Sequence, residues 1–389
     1  MDRDAVLVLN AGSSSVKYRL FDPATGEPFA RGTLERVEGP DAVERVLAAE
    51  PALDRTTIVA VGHRVVHGAD RFQASTLIDD RVLSTLRSLV PLAPLHLPAN
   101  ITGIEAARRM FPKALQVAVF DTSFHHTLPP RAYTYAVPTA WREQFGVRRY
   151  GFHGISYQYV SRRAVAFLHR DPAQTNLILL HLGNGASACA IEAGRSIDTS
   201  MGLTPLEGLV MGTRSGDVDP ALPDYLHRVA GLDSAAVDDA LNRDSGLLAL
   251  AGSNDLRDVW AAAEAGHEQA RQGLDVYCYR IRKYIGAYLA ALGHIDAIVF
   301  TAGVGERDPG VRAAALTGLE QFGITVDAQR NEAPGHDSER AISCDGATVP
   351  VLVIPTDEEA EIARQTLALT AVQEGRKPRA EYFEPSMTG

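Results

Sequence analysis

Two stretches of the sequence repeat the same order of elements, and this repetition constrains the fold more than any other feature. The first, VLVLNAGSSSVKYRLFD from Val6 to Asp22, is an apolar strand, a turn of small residues and a second strand. The second, NLILLHLGNGASACAIEAGRSID, begins at Asn176 and has the same order, with a third strand after Gly194. We interpret the pair as an internal duplication, and chance similarity between two hairpins is the alternative.

The turns in both repeats consist of small residues, whose backbone amides can face outward without obstruction by side chains. Such turns suit the binding of an anion, most often phosphate. A third apolar strand, in DAIVFTAGVGERDPG from Asp296, also runs into closely spaced glycines. For the first repeat, an ordinary hairpin with a serine-rich turn is the alternative.

Short strands and a long helix are predicted around these turns. The strands are Val6–Leu9, Val16–Phe21, Phe29–Thr33, Thr57–Val66 and Gln116–Phe120, of which the first three form a meander. Apolar residues at helical spacing from Leu274 to Leu292 predict a long helix that faces the core, and Asp41–Ala49 and the segment after Asp357 predict others.

Composition and charge limit the classes of protein. A chain of 389 residues is too long for one ordinary core, so we expect two domains. The net charge of −10 argues against a nucleic-acid surface, and no apolar run is long enough to span a bilayer. Three widely spaced cysteines without metal-type spacing predict a reducing, cytoplasmic setting.

Two known sequence motifs occur in segments whose predicted secondary structure does not suit the function of the motif. Gly183 to Ala188 fits the G-x-G-x-x-A dinucleotide pattern, which requires a helix directly after the glycines, whereas this turn leads into a strand. Ser14-x-x-Lys17 matches the serine and lysine of acyl-enzymes, which lie one turn apart on a helix, whereas this segment also leads into a strand. The phosphate-loop lysine pattern is absent, since the chain contains no Gly-Lys pair.

The run VGHRVVHG carries an arginine in an apolar setting. His63 and His67 have a metal-binding spacing only on a helix, and the flanking valines favour a strand. A strand places Arg64 and Val66 on one face, where the guanidinium could hold a short carboxylate and the valine its alkyl end. A surface arginine on a half-buried strand is the alternative.

Three further polar residues are candidates for a site. Asp121 ends a predicted strand, a favoured site position in α/β folds, although it could cap a helix. His153 lies in YGFHGIS between glycines, and Arg214 lies in the glycine-flanked loop MGTRSGDVDP, where a solvated turn is the alternative. Amides, cations and a strand-end carboxylate are the set that phosphoryl transfer requires, together with a metal ion on the phosphates.

These motifs, taken in order from Val6 to about Arg364, resemble those of the acetate kinase family. They are NAGSSSVKY, GHRVVHG, LAPLHLP, FDTSFH, YGFHGIS, HLGNG, TSMGLTPLEGL, MGTR, SGLL, TAGVGE and IPTDEE. The resemblance implies an α/β fold of the sugar kinase, actin and chaperone-ATPase superfamily. It consists of two duplicated actin-like ATPase domains (RNase H-like, mixed five-stranded sheets with flanking helices) around a central cleft. The implied domains are 1–123 plus 360–389, on the acyl side, and 124–359, which binds the nucleotide.

The resemblance also implies the activity. ATP and acetate would give ADP and acetyl phosphate, reversibly, by direct in-line transfer with Mg²⁺ (Mn²⁺ is possible). A kinase of propionate or a slightly longer acid is the alternative. A non-catalytic actin-like ATP-binding protein is another, but it would not need Arg64, His153 and Arg214 together. The expected partners are acetate, ATP and a second copy of the chain in a cytoplasmic homodimer, with no nucleic acid and no membrane.

The resemblance implies a role for individual residues. The catalytic set is Arg64, Asp121, His153 and Arg214, and the metal would be placed by Asn10 and Glu358. The acyl group would contact Arg64, Val66, Leu95, Phe152 and Pro205. The nucleotide would contact Ser13, Ser15, Lys17, His181, Gly183, Asn184, Gly185, Asp255, Leu256, Arg257, Gly303, Val304 and Gly305. Leu256 and Arg307 depart from the family pattern near the adenine, as do Ala69, Leu97 and Ala99 near the acyl site.

Overall fold

The computed structural model describes residues 3–11, 15–35, 44–45, 51–333, 335, 338–373 and 375. The chain divides into two compact units. The first comprises Met1–His126, Gly154–Ser156 and Asp357–Gly389, and the second comprises Thr127–His153 and Tyr157–Thr356.

The first unit contains a mixed sheet that has six strands within the described residues. They are β1 (Arg3–Ala11), β2 (Ser15–Phe21), β3 (Pro28–Glu35), β4 (Thr56–Val65), β5 (Thr76–Leu77) and β6 (Leu115–Phe120). Their order across the sheet is β3-β2-β1-β4-β6-β5. The hairpin strands β1 to β3 pair antiparallel, β1, β4 and β6 pair parallel, and β5 is antiparallel to β6.

Helices cover this sheet. The α-helices are Asp80–Ser88, Leu97–Met110 and Glu358–Gln373, and the 3₁₀ segments are Pro51–Arg55, Val90–Leu92 and Ser123–Thr127. The helix Leu97–Met110 packs on β1 and β4, where Ala106 and Ala107 join a core with Leu7 and Leu9. The helix Glu358–Gln373 packs on β1, β4 and β6.

The second unit contains another mixed sheet with six strands among the described residues. They are β7 (Asn176–Leu182), β8 (Ala186–Glu192), β9 (Arg195–Thr199), β10 (Ala297–Thr301), β11 (Arg340–Ala341) and β12 (Val351–Val353). Their order is β11-β12-β10-β7-β8-β9.

The helices of the second unit include one of 25 residues, Glu268–Leu292, which packs on β7 and β8. The other α-helices are Pro130–Tyr133, Thr139–Phe145, Leu222–Ala230, Ser234–Arg243, Gly246–Ala251, Leu256–Glu264, Ala302–Arg307, Pro309–Leu316 and Ala328–Glu332, together with Gly154–Phe167, whose first three residues are assigned to the first unit. The 3₁₀ segments are Pro172–Gln174 and Glu320–Phe322. No helix in the described ranges has both the length and the apolar character required to cross a membrane.

The two sheets repeat one topology. The strands β7 to β12 follow β1 to β6 in the same chain order, and each occupies the corresponding place in its sheet. The pairings also correspond: antiparallel for the hairpin strands, parallel for the next two, and antiparallel at the far edge. The predicted α/β fold with two duplicated halves is therefore confirmed. Among the described residues, each sheet has the five strands expected and a sixth of two residues, β5 or β11.

The local predictions are confirmed where the structure describes them. The meander, the strands near residues 57–66 and 116–120, and the long helix around Leu274 to Leu292 are all present, with strand ends within a few residues of those expected. The helix Ala302–Arg307 begins directly after β10, so Gly303 to Gly305 form the first turn of this helix and not a loop ahead of it. The predicted helix Asp41–Ala49 lies outside the described residues except for positions 44 and 45.

A close approach between a strand and a helix fixes the packing of the first unit. Gly62 lies on β4 under the helix Glu358–Gln373. A Cβ atom at Gly62 would lie 2.4 Å from Oγ1 of Thr366 and 2.7 Å from Cγ2 of Ile362. Both side chains are buried, so neither can move aside without repacking its neighbours. The strand therefore requires a residue without a side chain at this point.

Replacing Gly62 with alanine should lower the free energy of unfolding by about 1–3 kcal/mol, because the added methyl overfills the contact. Gly286 provides a matched control: in the described residues, apart from the glycine's own helix backbone, no atom lies within 4 Å of its Cβ position in the helix Glu268–Leu292. Gly286→Ala should stabilise the protein by about 0.5–1 kcal/mol. Chemical denaturation of both variants measures the difference, and equal stabilities would contradict the proposed packing.

Candidate functional site

In the first unit, an ion pair joins the ends of two parallel strands. Arg64 lies near the end of β4, and Asp121 follows β6 directly. Nε of Arg64 donates to Oδ1 of Asp121 at 3.1 Å, and the terminal nitrogen NH2 donates to Oδ2 at 2.8 Å. Asp121 is 1% exposed. The bidentate geometry fixes the plane of the guanidinium, which leaves its NH1 nitrogen directed elsewhere.

Glu358 lies next to this pair. Its Oε2 is 3.9 Å from NH1 of Arg64, at the first residue of the helix Glu358–Gln373. Burial disfavours the charged form of Arg64, but the carboxylates of Asp121 and Glu358 outweigh this effect and raise the pKa of the guanidinium. Arg64 therefore stays charged between two carboxylates.

Negative charge is concentrated where this helix begins. Asp357 accepts a hydrogen bond from the N–H of Ala360 at 2.9 Å, and this contact caps the helix. Asp357 also forms an ion pair with Arg19 at 2.7 Å. Burial and the neighbouring Glu358 and Asp357 raise the pKa of Glu359. The carboxylate of Glu358 has neither of the contacts made by Asp357, and an excess of negative charge surrounds it.

The first serine turn lies partly outside the described residues, including Ser13, and the side chain of Ser15 is not described. Asn10 pairs with Lys17 across β1 and β2, and Lys17 is exposed. The two residues thus lie next to the turn that the sequence predicts to bind phosphate.

Asn100 is a residue that the sequence analysis missed. It is 4% exposed in the helix Leu97–Met110, where its Oδ1 accepts the N–H of Val66 at 3.1 Å and its Nδ2 donates to the carbonyl of Ala11 at 2.8 Å. It thereby connects the predicted acyl residue Val66 to the end of β1. Its only sequence signal is a polar residue on an apolar helix face.

Two predicted acyl-site residues of the first unit differ in exposure. Val66 is half-buried directly after β4, whereas Leu95 is 47% exposed.

Gly154 also belongs to the first unit, and its N–H donates to the carbonyl of Asp121 at 2.9 Å. A Cβ atom at Gly154 would lie 2.2 Å from that oxygen, which explains the second glycine in YGFHGIS.

In the second unit, His153 is held in a defined orientation. Its backbone has φ of 58°, in the left-handed region that is uncommon for residues other than glycine. Its Nδ1 is 2.8 Å from Oγ of Ser187, which also bonds the hydroxyl of Tyr157. The ring of His181 stacks on that of His153 at 4.0 Å between centroids. Ser187, fully buried on β8, was not identified from sequence.

Arg214 and His153 converge at the glycine turn after β7. The NH2 nitrogen of Arg214 lies 3.1 Å, and Nε2 of His153 3.5 Å, from the position that a Cβ atom would take at Gly185. Only a glycine leaves room for both groups. Arg214 NH1 donates to the carbonyl of Pro205 at 2.7 Å, and no carboxylate in the described residues lies within 4.0 Å of its guanidinium. Burial lowers the pKa of Arg214.

The two glycine turns of the second unit are neighbours. A Cβ atom at Gly183 would lie 3.9 Å from Cβ of Ala302, which begins the helix Ala302–Arg307. The backbone carbonyl of the exposed Asn184 accepts the N–H of Gly212 at 3.1 Å. The predicted nucleotide residues Gly183 to Gly185 and Gly303 to Gly305 are thus brought together.

The predicted adenine residues begin another helix, Leu256–Glu264. Asp255 caps this helix and forms an ion pair with the exposed Arg257, while Leu256 is 7% exposed. Trp260 connects this helix to the end of the helix Ala302–Arg307, because its Nε1 donates to Oδ2 of Asp308 at 3.0 Å. Phe152, a predicted acyl residue, is 2% exposed.

A half-buried arginine supports the loop that carries Pro205. NH1 of Arg149 donates to the carbonyls of Thr199, Ser200 and Met201 at 3.0–3.1 Å, and its NH2 donates to Glu207. The sequence gives no local signal for this contact, because the partners lie about fifty residues away in the chain.

Of the two histidines of VGHRVVHG, His63 lies on a strand, as predicted, whereas His67 lies beyond the end of that strand. His63 is 3% exposed on β4, and its Nε2 is 2.8 Å from Oε1 of Gln116. Burial lowers the pKa of His63 to about 4. No group of three histidine, cysteine or acidic residues suited to a metal occurs in the part of the chain that the structure describes.

One cavity of about 480 Å³ lies apart from these residues. It is lined by the segment 309–332, mostly by apolar side chains such as Leu316, Ile324 and Val326. None of the predicted site residues lines it.

The fold and these contacts define a class of protein. A duplicated mixed-sheet fold with glycine turns at strand ends, beside arginines and an oriented histidine, is that of a phosphotransferase. The model of the acetokinase family matches residues 46–364, and the chain belongs to that family.

Named relatives agree with this assignment. The acetate kinase of Streptomyces coelicolor is 49% identical, covering 95% of this chain and 98% of that protein, and the acetate kinase of Leifsonia xyli subsp. xyli is 52% identical, covering 94% and 99%. The crystal structure of Porphyromonas gingivalis acetate kinase matches with a TM-score of 0.88 and 42% identity, covering 94% of this chain and 100% of that one. A propionate kinase from Francisella tularensis matches with a TM-score of 0.86 and 38% identity, covering 93% and 99%.

The buried His63 should make stability depend on pH. Its pKa falls from 6.5 to about 4 on folding, so the stability that it provides is complete above pH 6.5 and is lost as the pH falls to 4. Between pH 7 and pH 4, the wild type should lose about 3 kcal/mol more free energy of unfolding than His63→Gln, which cannot titrate. Denaturant unfolding across this range measures the difference, and parallel curves would contradict it.

Proposed function

We propose that this chain is an acetate kinase, which transfers the γ-phosphoryl group of ATP to the carboxylate of acetate and gives acetyl phosphate and ADP, reversibly. The observation that carries the proposal is the convergence of Arg214 and His153 on Gly185, where two donors face a space that a side chain would fill. The names and coverage of the relatives give the substrates.

Direct transfer suits this set of residues. A carboxylate is already ionised at pH 7, so it needs no general base. The reaction then requires groups that position the reactants and offset the charge that spreads over the phosphoryl oxygens. Arg64 and Arg214 would bind the phosphoryl group and the acetate carboxylate, and Asp121 would orient Arg64, as its bidentate contact supports.

His153 would donate to the developing negative charge. Its contact with Ser187 and its stacking on His181 fix the ring, so little orientation remains to be lost when substrates bind. The uncommon backbone conformation of His153 supports the same role, because strain of this kind is typical of functional positions.

The substrate-binding residues are assigned as the family resemblance implies. Of the residues assigned to the acyl group, Val66 and Leu95 belong to the first unit, and Phe152 and Pro205 belong to the second. Lys17, Ser13 and Ser15 would contact phosphate. The adenosine and diphosphate would contact His181, Asn184 and the turns Gly183 to Gly185 and Gly303 to Gly305, with Asp255, Leu256 and Arg257 near the adenine.

Magnesium fits the residues near Arg64. Mg²⁺ keeps several waters and binds through one or two carboxylates and substrate phosphates, so it needs no cage of protein ligands. The side chains of Glu358 and Asn10 offer oxygen donors. Burial first, and then the charges of Glu358 and Asp357, raise the pKa of Glu359, and a cation would offset the charge of these carboxylates. When bound, the ion would neutralise charge on the β- and γ-phosphates.

We extend the proposal to a homodimer in the cytoplasm. All three cysteines are free thiols, which is typical of a reducing compartment. Two helices of the second unit expose apolar pairs at i and i+4: Trp141 and Phe145 are 51% and 66% exposed, and Tyr225 and Val229 are 53% and 60% exposed. Exposed apolar side chains of this kind support a face covered by another protein chain.

Formation of acyl phosphate, trapped with hydroxylamine, tests the function with acetate, propionate and butyrate and with ATP, GTP and pyrophosphate. We expect ATP and acetate to give the highest kcat/KM. Because one methylene is worth only ~1–3 kcal/mol in a pocket, propionate should also react. Absence of acetyl phosphate with ATP and acetate would overturn the proposal.

Arg214→Ala should lower kcat by ~10²–10³, because one donor to the charge of the transition state is lost. Arg214 is a cleaner choice than Arg64, whose removal would leave Asp121 buried without its cation. Arg330→Ala is the control, since Arg330 also bonds a backbone carbonyl, that of Ser343, but is not assigned to the site. Near-normal turnover of Arg214→Ala would remove Arg214 from the reaction.

Glu358→Gln should leave the melting temperature almost unchanged, lower kcat strongly and raise the Mg²⁺ concentration needed for half-maximal rate. Asp357→Ala is the control: it removes the observed cap, so it should lower stability by about 1 kcal/mol without changing the Mg²⁺ requirement. Titration of the rate with Mg²⁺ and thermal unfolding separate the two effects. Normal Mg²⁺ dependence in Glu358→Gln would refute the metal role.

A further inference from the structure

The most deeply buried arginine of the second unit does not belong to the predicted site. Arg312, on the helix Pro309–Leu316, is 0% exposed and ranks first in volume among the fully buried side chains described. A buried guanidinium is costly unless its donors are satisfied. No carboxylate oxygen of the described residues lies within 4.0 Å of it, whereas Arg64 has Asp121.

Neutral oxygens satisfy Arg312 instead. Its Nε donates to Oδ1 of Asn331 at 2.7 Å, its NH2 donates to the carbonyl of Asn331 at 2.7 Å, and its NH1 donates to the carbonyl of Gly305 at 2.9 Å. Asn331 is 4% exposed, and its Nδ2 donates to the carbonyl of Pro309 at 2.9 Å. The arginine thus connects a rigid, buried amide to the turn Gly303 to Gly305.

The turn is constrained at both ends. Ala302, at its start, has φ of 65°, and its N–H donates to Oε1 of Glu306 at 2.8 Å. The same oxygen accepts the N–H of Thr356 at 3.0 Å. Arg312 holds the other end through the carbonyl of Gly305. An alanine in the left-handed region persists only where such surrounding contacts determine it.

Other charges face Arg312 and do not replace its contacts. Arg340 lies nearby, and its NH2 donates to the carbonyl of Glu306 at 3.4 Å. Burial first, and then Arg340, lower the pKa of Arg312 to about 10, while Asp308 acts in the opposite direction. Arg312 is therefore charged at pH 7, and its bonds to carbonyls are of the stronger, charge-assisted kind.

We infer that Arg312 is a positioning residue for the nucleotide: by bonding Gly305 and Asn331, it holds the turn Gly303 to Gly305 in the conformation that receives ATP and ADP. The inference rests on the proposed function, in which this turn contacts the nucleotide. A preformed turn binds more tightly because less ordering is required on association. The effect should therefore fall on the nucleotide and leave acetate binding unchanged.

Arg312→Met tests the inference, since methionine fills much of the space without donating. The Kd of ADP, measured by calorimetry, and the KM of ATP should rise by roughly 10- to 100-fold, the usual worth of a charge-assisted bond. The KM of acetate should stay within about twofold. Arg282→Met is the matched control: Arg282 also donates to backbone carbonyls, those of Ala314 and Ala315, so it should lower the melting temperature without separating the two KM values.

Two further variants decide the matter if Arg312→Met does not fold. Arg312→Lys retains the charge and can donate to the carbonyl of Gly305. This single variant should therefore bind ADP more tightly than the double variant that carries both Arg312→Lys and Asn331→Ala. Asn331→Ala removes the Oδ1 anchor and should weaken ADP binding in the same direction as Arg312→Met. Unchanged ADP affinity in Arg312→Met or, failing that, in Asn331→Ala would overturn the inference, as would equal losses for ATP and acetate.

Failure of this inference is distinguishable from failure of the proposed function. The function fails if the wild type forms no acetyl phosphate. Gly303→Ala addresses the turn itself: among the described residues, apart from its chain neighbours and its own helix backbone, no atom lies within 4 Å of its Cβ position, so the protein should fold normally. Weaker ADP binding by Gly303→Ala supports contact between this turn and the nucleotide. Wild-type ADP affinity in Gly303→Ala would overturn the role of Arg312 and leave the acetate kinase activity standing.

Discussion

The parallel register between β4 and β6 determines where charge lies in the first unit. Val65 pairs with Phe120, and the N–H of Asp121 donates to the carbonyl of Val65 at 3.0 Å, which places Asp121 directly beside Arg64. The bidentate contact follows from this register, and the placement of Glu358 at 3.9 Å follows from the helix that packs on the same strands. A shift of one residue would turn each side chain to the other face of the sheet and separate the pair.

Three arginines show how burial and the neighbouring groups together set the pKa of a guanidinium. Arg64 is held by two carboxylates, Arg214 donates to a backbone carbonyl, and Arg312 is enclosed by neutral oxygens. Burial disfavours the charge in every case, but only the carboxylates beside Arg64 reverse the effect on the pKa. An arginine without a carboxylate partner retains more of its attraction for an anion, which suits Arg214 for a substrate that arrives and leaves.

Much of the fold could be predicted from the sequence, because strand alternation and helical spacing are local signals. The repeated hairpin, the long helix around Leu274 to Leu292 and the strand character of VGHRVVHG follow from such patterns. The supporting contacts could not be predicted. Ser187 reaches His153 across 34 positions, and Asn100 reaches Ala11 across 89, so only the folded chain brings them together.

Physical patterns in the sequence indicate Arg64, Val66, Asp121, His153 and Arg214, whereas most other candidate site residues rest on family motifs alone. That route names Leu95 for the acyl pocket, although this side chain is 47% exposed in the structure. It also omits Arg149 and Arg312, whose side chains donate to backbone carbonyls, an amide oxygen and a carboxylate. Residues that support a loop through its backbone lie outside the loop in sequence. Motifs that describe the loop therefore do not include them.

The helix Glu358–Gln373 has a consequence for how the chain matures on the ribosome. It packs on β1, β4 and β6, which are complete by Phe120, yet it follows the second unit in the chain. The face of the first sheet around Gly62 therefore remains uncovered by this helix while the second unit is translated. Domains generally fold in the order of their synthesis. Here the described strands of the second unit all precede the helix that covers the first sheet, so the first unit cannot complete its native packing until the second unit has been synthesised.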